Sequence, residues 1–319
     1  MKALTFSKFG SSEVLEYIEI PKPIMLQNEV LVKMESIGLN YADIYRRKGN
    51  YHLKGNPPFI AGYEGAGIVA ESNVSSIKIG DRVAFTDVPF ANAEFVIVPE
   101  AHIIPLQDNI SFDLAASVLL QGLTAHYLSN DSYKVKKDDF VLIHAASGGV
   151  GQILTQICKM KGAKVIGLSR NESKLKIISD NKADFAIALN ENWKQKVMEI
   201  TNNKGVDVVF DSVGSTLLDS FEVTKECGTV VFYGMSGGDP APVDPRMLMD
   251  TSKTLTGGDL WSYINSHEQR ISRSKQLFEW ILNGDIVMAE PVKFQLSDGR
   301  KAHEYLESGH SSSKILLIP

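Results

Sequence analysis

The chain has 319 residues, with 33 Lys and Arg against 38 Asp and Glu, and a formal charge of −5. Hydrophobic residues make up 44% and charged residues 22%, which excludes a disordered or fibrous chain and leaves enough length for two domains. The acidic balance without basic tracts argues against nucleic acid. No stretch approaches about 18 consecutive apolar residues, and the opening MKALTFSKFG lacks a secretory signal's apolar centre. The two cysteines, Cys158 and Cys227, fit a reducing cytoplasm.

In chain order, residues 1–100 read as short β-rich runs: KALTF, LEYIEI, EVLVKMESIGL, GAGIVAE, DRVAF and AEFVIV. Pro21, Pro23, Pro57, Pro58, Gly80 and Asp81 punctuate them, so a partly closed β-barrel is expected. Tyr41 to Lys48 interrupts as a short helix. Ser111 can cap a helix from Phe112 to Asn130.

From 140 the pattern alternates. Strands are expected near 140–145, 164–168, 185–189, 206–211, 229–233 and 254–257. Helices are expected near 149–161, 172–181, 192–202, 216–226 and 243–251. Right-handed crossovers between six such strands make a doubly wound parallel sheet. The tail differs: a helix near 268–283, a strand from Pro291, a helix from Leu296 to Ser308, and a closing strand in SSSKILLIP.

The stretch 140–174 carries the chemistry. Phe140 to Ile143 reads as a buried strand, the glycines Gly148, Gly149 and Gly151 follow, and Val150, Ile153, Leu154, Ile157 and Cys158 recur at helical spacing. Strand, Gly-rich turn and helix place backbone amides and a positive helix end around a pyrophosphate. The spacing is one residue longer than G-x-G-x-x-G. Ala145 takes the tight turn, Gly148 the phosphate approach, and Gly151 the close packing of helix on strand. An NAD site wants a carboxylate after the second strand. This chain offers Ser169, Arg170 and Lys174, with Glu172 falling late, and these favour the 2′-phosphate of NADP(H).

HAASGGVG at 144–151, preceded by LLQGLTAHYL, resembles the zinc-independent quinone oxidoreductases of the medium-chain dehydrogenase/reductase superfamily, along the whole chain. The resemblance implies an α/β chain: a GroES-like, partly closed β-barrel catalytic domain and a Rossmann cofactor domain. It puts 1–122 and 262–319 in the first, with 123–261 inserted. It also implies a homodimer through edge pairing of the cofactor domains.

Zinc-dependent relatives hold their catalytic metal with Cys, His and a carboxylate or Cys. The corresponding positions here are Asn40, Tyr63 and Glu64, and no cysteine precedes Cys158, so no metal is expected. Glu64 reads as structural. The seven histidines have no metal-ligand spacing and read as surface or satisfied core.

By resemblance, Asn40 and Thr124 lie beside the nicotinamide, while Tyr45 and Tyr51 form a pocket wall with hydroxyl donors. Tyr45 also reads as core packed one turn from Tyr41, Thr124 as a helix hydroxyl bonded back to a carbonyl, and Tyr63 as lining or plugging the cleft. Further coenzyme contacts are expected from Ala146, Ser147, Gly148, Gly149, Val150 and Gly151. The ends of later strands add Asn190, Ser212, Val213, Phe232, Tyr233, Gly234, Met235, Ser236, Leu260 and Trp261. Asn190 stands where relatives often have Tyr, and Gly309, with His310 next, where many carry Arg. The expected reaction is reduction of a quinone by NADPH, with no dedicated general acid. The alternatives are reduction of an activated C=C bond, where Tyr45 or Tyr51 would supply a proton, and a NADPH-binding structural or RNA-binding role.

Overall fold

The computed structural model describes residues 1–319. The chain divides into two compact units. One comprises Met1–Leu120, Ile264–Phe278 and Met288–Pro319; the other comprises Gln121–Tyr263 and Glu279–Val287. Glu279–Val287 joins the second unit for local reasons. Val287 donates its N–H to Gln156 Oε1 at 2.8 Å and accepts from Gln156 Nε2 at 3.1 Å. Trp280 stacks on His126 with centroids 5.8 Å apart.

In the first unit the long strand Glu29–Leu39 is the organising element. It pairs antiparallel with Glu64–Ser72, Phe95–Pro99 and the C-terminal strand Ile315–Ile318. Val30, Val32, Met34, Ile37 and Leu39 are buried with Phe85, Val96, Leu296 and Leu317 in one core. Register decides what lies near what. Leu39 opposes Ile315 and Ile37 opposes Gly65, so Asn40, Glu64 and Lys314 sit at three adjacent strand ends. The Tyr41–Lys48 helix forms where expected and closes on Gly49, whose φ of 82° suits glycine.

The second unit's sheet is wholly parallel, in the order Phe185–Ala188, Lys164–Ser169, Phe140–Ile143, Val206–Asp211, Thr224–Phe232, Thr254–Gly257. The first strand in sequence is central and the order reverses beside it, which is the switch point where doubly wound sheets bind ligands. The buried Leu142, Ile166, Val209 and Val230 show why these runs are nearly continuous in hydrophobicity.

Three expected helices depart from the regular α pattern. The helix expected at 216–226 ends at Glu222, because Thr224 already pairs with Val206 and the ladder bulges before Val208. The helix from Phe112 ends at Tyr127 and continues as a π turn to Ser132. The helix expected at 172–181 opens as a 3-10 turn, because the Asn171 side chain accepts from Ser173 N at 3.0 Å. It becomes α-helical only over Leu175–Asp180.

Three histidines are buried, His126, His144 and His303, and the last two are not fully satisfied. His144 Nδ1 and His303 Nε2 have no hydrogen-bond partner. Arg47 donates to His303 Nδ1 at 3.1 Å, so that nitrogen is an acceptor and the proton sits on Nε2. Burial, reinforced by Arg47, lowers His303 to about 3, while burial also lowers His144 against the pull of Asp211. An unfolded histidine takes its proton near 6.5, and the folded His303 does so only near 3. Its stabilisation is therefore complete above about 6.5 and falls with pH by about 1.4 kcal/mol per unit below it. His303→Asn, whose Oδ1 replaces the Nδ1 acceptor, should flatten the slope of Tm between pH 6.5 and 5 by one proton. An unchanged slope would show that His303 is charged in the folded chain.

Candidate functional site

The second unit contributes a turn built for an anion. Ala146 N donates to Leu168 O at 2.9 Å, and His144 N to Phe210 O at 3.0 Å, pinning residues 144–147 to both neighbouring strands. Ala145 adopts φ 49°, a left-handed conformation that costs a non-glycine residue. Gly148, extended at φ −84° and ψ 173°, precedes the helix Gly149–Met160. The first amides of that helix lack carbonyl partners within it and face the turn.

The glycines differ in what surrounds them. A Cβ on Gly151 would lie 2.7 Å from Ala146 Cα and closer still to the Ala145 carbonyl oxygen, so the missing side chain lets helix and turn meet. A Cβ on Gly149 would collide with the Gln121 carboxamide. A Cβ on Gly148 would touch only Ala145 O, at 3.1 Å.

Beyond the second strand, Arg170 is exposed and Lys174 half-buried, with burial pulling the Lys174 ammonium below its usual range. Ser169 differs from the sequence expectation. Its side chain is buried, and its hydroxyl lies 3.2 Å from Ser147 Oγ, donates to Asn171 O at 3.0 Å and accepts from Asn171 N at 3.2 Å. That hydroxyl ties the first turn to the second, leaving the two cations as the outward groups. Glu172 is exposed in the 3-10 turn, as its late position implied. Asn190 is exposed, and its Oδ1 accepts from Asn192 N at 3.1 Å.

The loop after the fourth strand is held by a residue sequence reasoning placed there without a role. Asp211 is buried. Its Oδ1 accepts from Val213 N at 2.8 Å and Gly214 N at 3.1 Å, and its Oδ2 from Thr216 Oγ1 and Ser220 Oγ, both at 2.8 Å. Ser220 Oγ also lies 3.0 Å from His144 Nε2. Burial pushes the Asp211 carboxyl up, but the hydrogen bonds from Ser220, Val213 and Gly214 outweigh it and hold Asp211 below the usual carboxylate range. The neighbouring loop is zipped to this one, with Ser236 N donating to Ser212 O at 3.0 Å and Gly237 N to Val213 O at 2.8 Å. Phe232, Tyr233, Gly234 and Met235 are half-buried beside them. After the sixth strand, Leu260 is buried and Trp261 half-buried, and Tyr263 stacks on Tyr127 at 4.4 Å. Thr124, one helical turn before Tyr127, is buried in the same helix.

The first unit contributes a buried polar cluster. Lys314 Nζ donates to Glu64 Oε2 at 2.6 Å and to Asn40 Oδ1 at 2.8 Å. Asn40 Nδ2 donates to Glu64 Oε2 at 2.8 Å and to Gly38 O at 3.2 Å, and Leu120 N donates to Glu64 Oε1 at 2.6 Å. Asn40 also caps the Tyr41–Lys48 helix, its N–H donating to Asp43 Oδ2 at 2.9 Å. Asp43 is fully buried, which raises its pKa despite Arg46 at 3.2 Å.

Arg46 lies 3.5 Å from the centroid of Tyr63 and 5.0 Å from that of Tyr51. Tyr63 is itself buried. Tyr45 packs edge-on against both Tyr41 and Tyr51, at 5.4 and 6.3 Å, and stays half-exposed like Tyr51. The donor set does not fit zinc: Glu64 already holds an ammonium, Tyr63 lies under a guanidinium, and Asn40 is bonded to both charges of the Glu64–Lys314 pair. No group of three His, Cys, Asp or Glu side chains is placed to hold a metal. Sequence reasoning missed Lys314, Arg46, Asp43 and Gln121, and only Asp43, three residues after a capping Asn, carried a local signal.

The alcohol dehydrogenase GroES-like domain profile matches residues 26–108, and the zinc-binding dehydrogenase profile matches 149–277. Quinone oxidoreductase 1 of Escherichia coli is 37% identical, over 99% of each chain. A 2-haloacrylate reductase from a Burkholderia species is 31% identical, over 100% of this chain and 99% of its own. The crystal structure of E. coli quinone oxidoreductase complexed with NADPH superposes with a TM-score of 0.95 at 35% identity, over 100% of both chains.

Proposed function

Because the chain belongs to the quinone oxidoreductase family of the medium-chain dehydrogenase/reductase superfamily, we propose that it is an NADPH-dependent quinone reductase that works without a metal. The observation that carries this reading is the Ala145–Gly151 turn at the sheet's switch point, with Arg170 and Lys174 where an NAD enzyme would place an acid. The second unit is the NADP(H) domain and the first the catalytic domain. NADPH, when bound, supplies the hydride.

The chain's own groups bind and orient. The amides at 149–151 hold the diphosphate, and Arg170 and Lys174 hold the 2′-phosphate. The zipped loops after Asp211 and Phe232 and the turn at Leu260–Trp261 meet the ribose and nicotinamide. Asn40 and Thr124 set the ring, and Tyr45 and Tyr51 face the acceptor. A quinone that has taken a hydride carries its charge as a delocalised phenolate. That anion is weakly basic and waits for a solvent proton, so hydrogen-bond donation suffices. The two free cysteines fit a reducing cytoplasm, no helix is long and apolar enough to cross a membrane, and the edge strand Thr254–Gly257 would pair in a homodimer.

The 2-haloacrylate reductase relative supports a second reading, reduction of an activated C=C bond. Hydride addition there gives an enolate that must take a proton at carbon, so a protein acid matters more, a role for Tyr45 or Tyr51. Rates with a quinone panel and an enone panel separate the two. A naphthoquinone should be reduced rapidly, and Tyr45→Phe should lower enone turnover about 10- to 100-fold if a tyrosine proton is required, and quinone turnover by less. Indifference to both panels would overturn both readings.

A further inference from the structure

We infer that Lys314 is a positioning residue, whose ammonium locks the carboxamide of Asn40 in one of its two orientations. This rests on the proposed place of Asn40 beside the nicotinamide. A carboxamide turned by 180° keeps its shape and exchanges a donor for an acceptor. Here the exchange is blocked at both ends. Asn40 Oδ1 accepts from Lys314 Nζ at 2.8 Å, and Asn40 Nδ2 donates to Glu64 Oε2 at 2.8 Å. A flip would set an NH2 against an ammonium and an oxygen against a carboxylate.

The clamp is itself immobile. Glu64 is fixed by Leu120 N, and a side chain at Gly38 would strike the Glu64 carboxylate and the Ala116 carbonyl. Lys314 is fixed by the register of Ile315 against Leu39. The neighbouring charges balance: Lys314 and Arg46 against Glu64 and Asp43, each at most 4% exposed. The same ammonium lies between Asn40 and Glu64, two positions that by resemblance correspond to zinc ligands in zinc-dependent relatives.

Charge balance and orientation are separable by experiment. Lys314→Met strands the Glu64 charge and should lower Tm. The Glu64→Gln/Lys314→Met double variant removes both charges and should regain most of that stability, because a neutral pair replaces an ion pair at little cost. A glutamine amide tolerates either orientation of Asn40, however. With each protein assayed below its own melting transition, kcat for naphthoquinone reduction should fall about 10- to 100-fold in both variants, with the NADPH Kd within about threefold of wild type. Wild-type kcat in either folded variant would overturn the proposal and leave Lys314 as a counter-ion only. Asn40→Ala is the separate control. Wild-type kcat in that protein would remove Asn40 from the nicotinamide and fault the underlying site reading instead.

Discussion

Gly151→Val should abolish NADPH-dependent reduction and lower Tm by roughly 5–10 °C, while Gly148→Ala should raise the NADPH Kd about tenfold or more in a protein that melts with the wild type. The two glycines are three residues apart in one turn and fail for different reasons. A Cβ at 151 would lie 2.7 Å from Ala146 Cα and nearer still to Ala145 O. Both obstacles are backbone, and that backbone is pinned by Ala146 N on Leu168 O at 2.9 Å. The helix must back away, and its amides leave the phosphate position with it. At Gly148 the backbone is extended, φ −84°, and alanine adopts it without strain. The added methyl meets only Ala145 O, at 3.1 Å, a tight contact that a small shift relieves, so the fold should tolerate it while a diphosphate held there should not. Calorimetric titration with NADPH beside a thermal melt resolves both effects. Wild-type affinity in Gly148→Ala would show that no phosphate approaches there.

The Arg170→Ala/Lys174→Ala variant should lose about 100-fold in NADPH affinity and less than about threefold in NADH affinity. The variant removes the two cations proposed to contact a 2′-phosphate, with Arg170's share discounted because it is exposed. Lys174 contributes more, since its ammonium is already partly desolvated and gains more from an anionic partner. Raising the salt concentration should narrow the wild-type preference in the same direction. Ser169→Ala should behave differently. Its hydroxyl bridges Ser147 and Asn171, so its loss should lower Tm before it changes coenzyme choice. A variant lacking both cations that still prefers NADPH would move 2′-phosphate recognition elsewhere.

Much of this was legible in the residues. The helix Gly149–Met160, the six parallel strands and the Tyr41–Lys48 helix follow from apolar periodicity and from where glycine and capping residues fall, all local properties. Periodicity ran on too far at 216–226, because it carries no mark of the point where a neighbouring strand recruits Thr224. Asp211 was legible as the end of a strand and not as the anchor of its loop, because three of its four donors are side chains or amides placed by the turn itself.

The residues alone were enough to read the Gly-rich turn after the first strand, the missing acid after the second, and the lack of Cys and His at the positions where a catalytic zinc would need them. The ammonium beside Asn40 and Glu64 came only from the folded chain. Lys314 stands 274 residues from Asn40 in the chain, in a run that reads only as the start of an apolar strand. It reaches Asn40 because Ile315 pairs with Leu39. Spacing along the chain reports contacts within a few turns or across a tight hairpin. A partner brought in by strand register, over most of the chain's length, leaves no periodic trace.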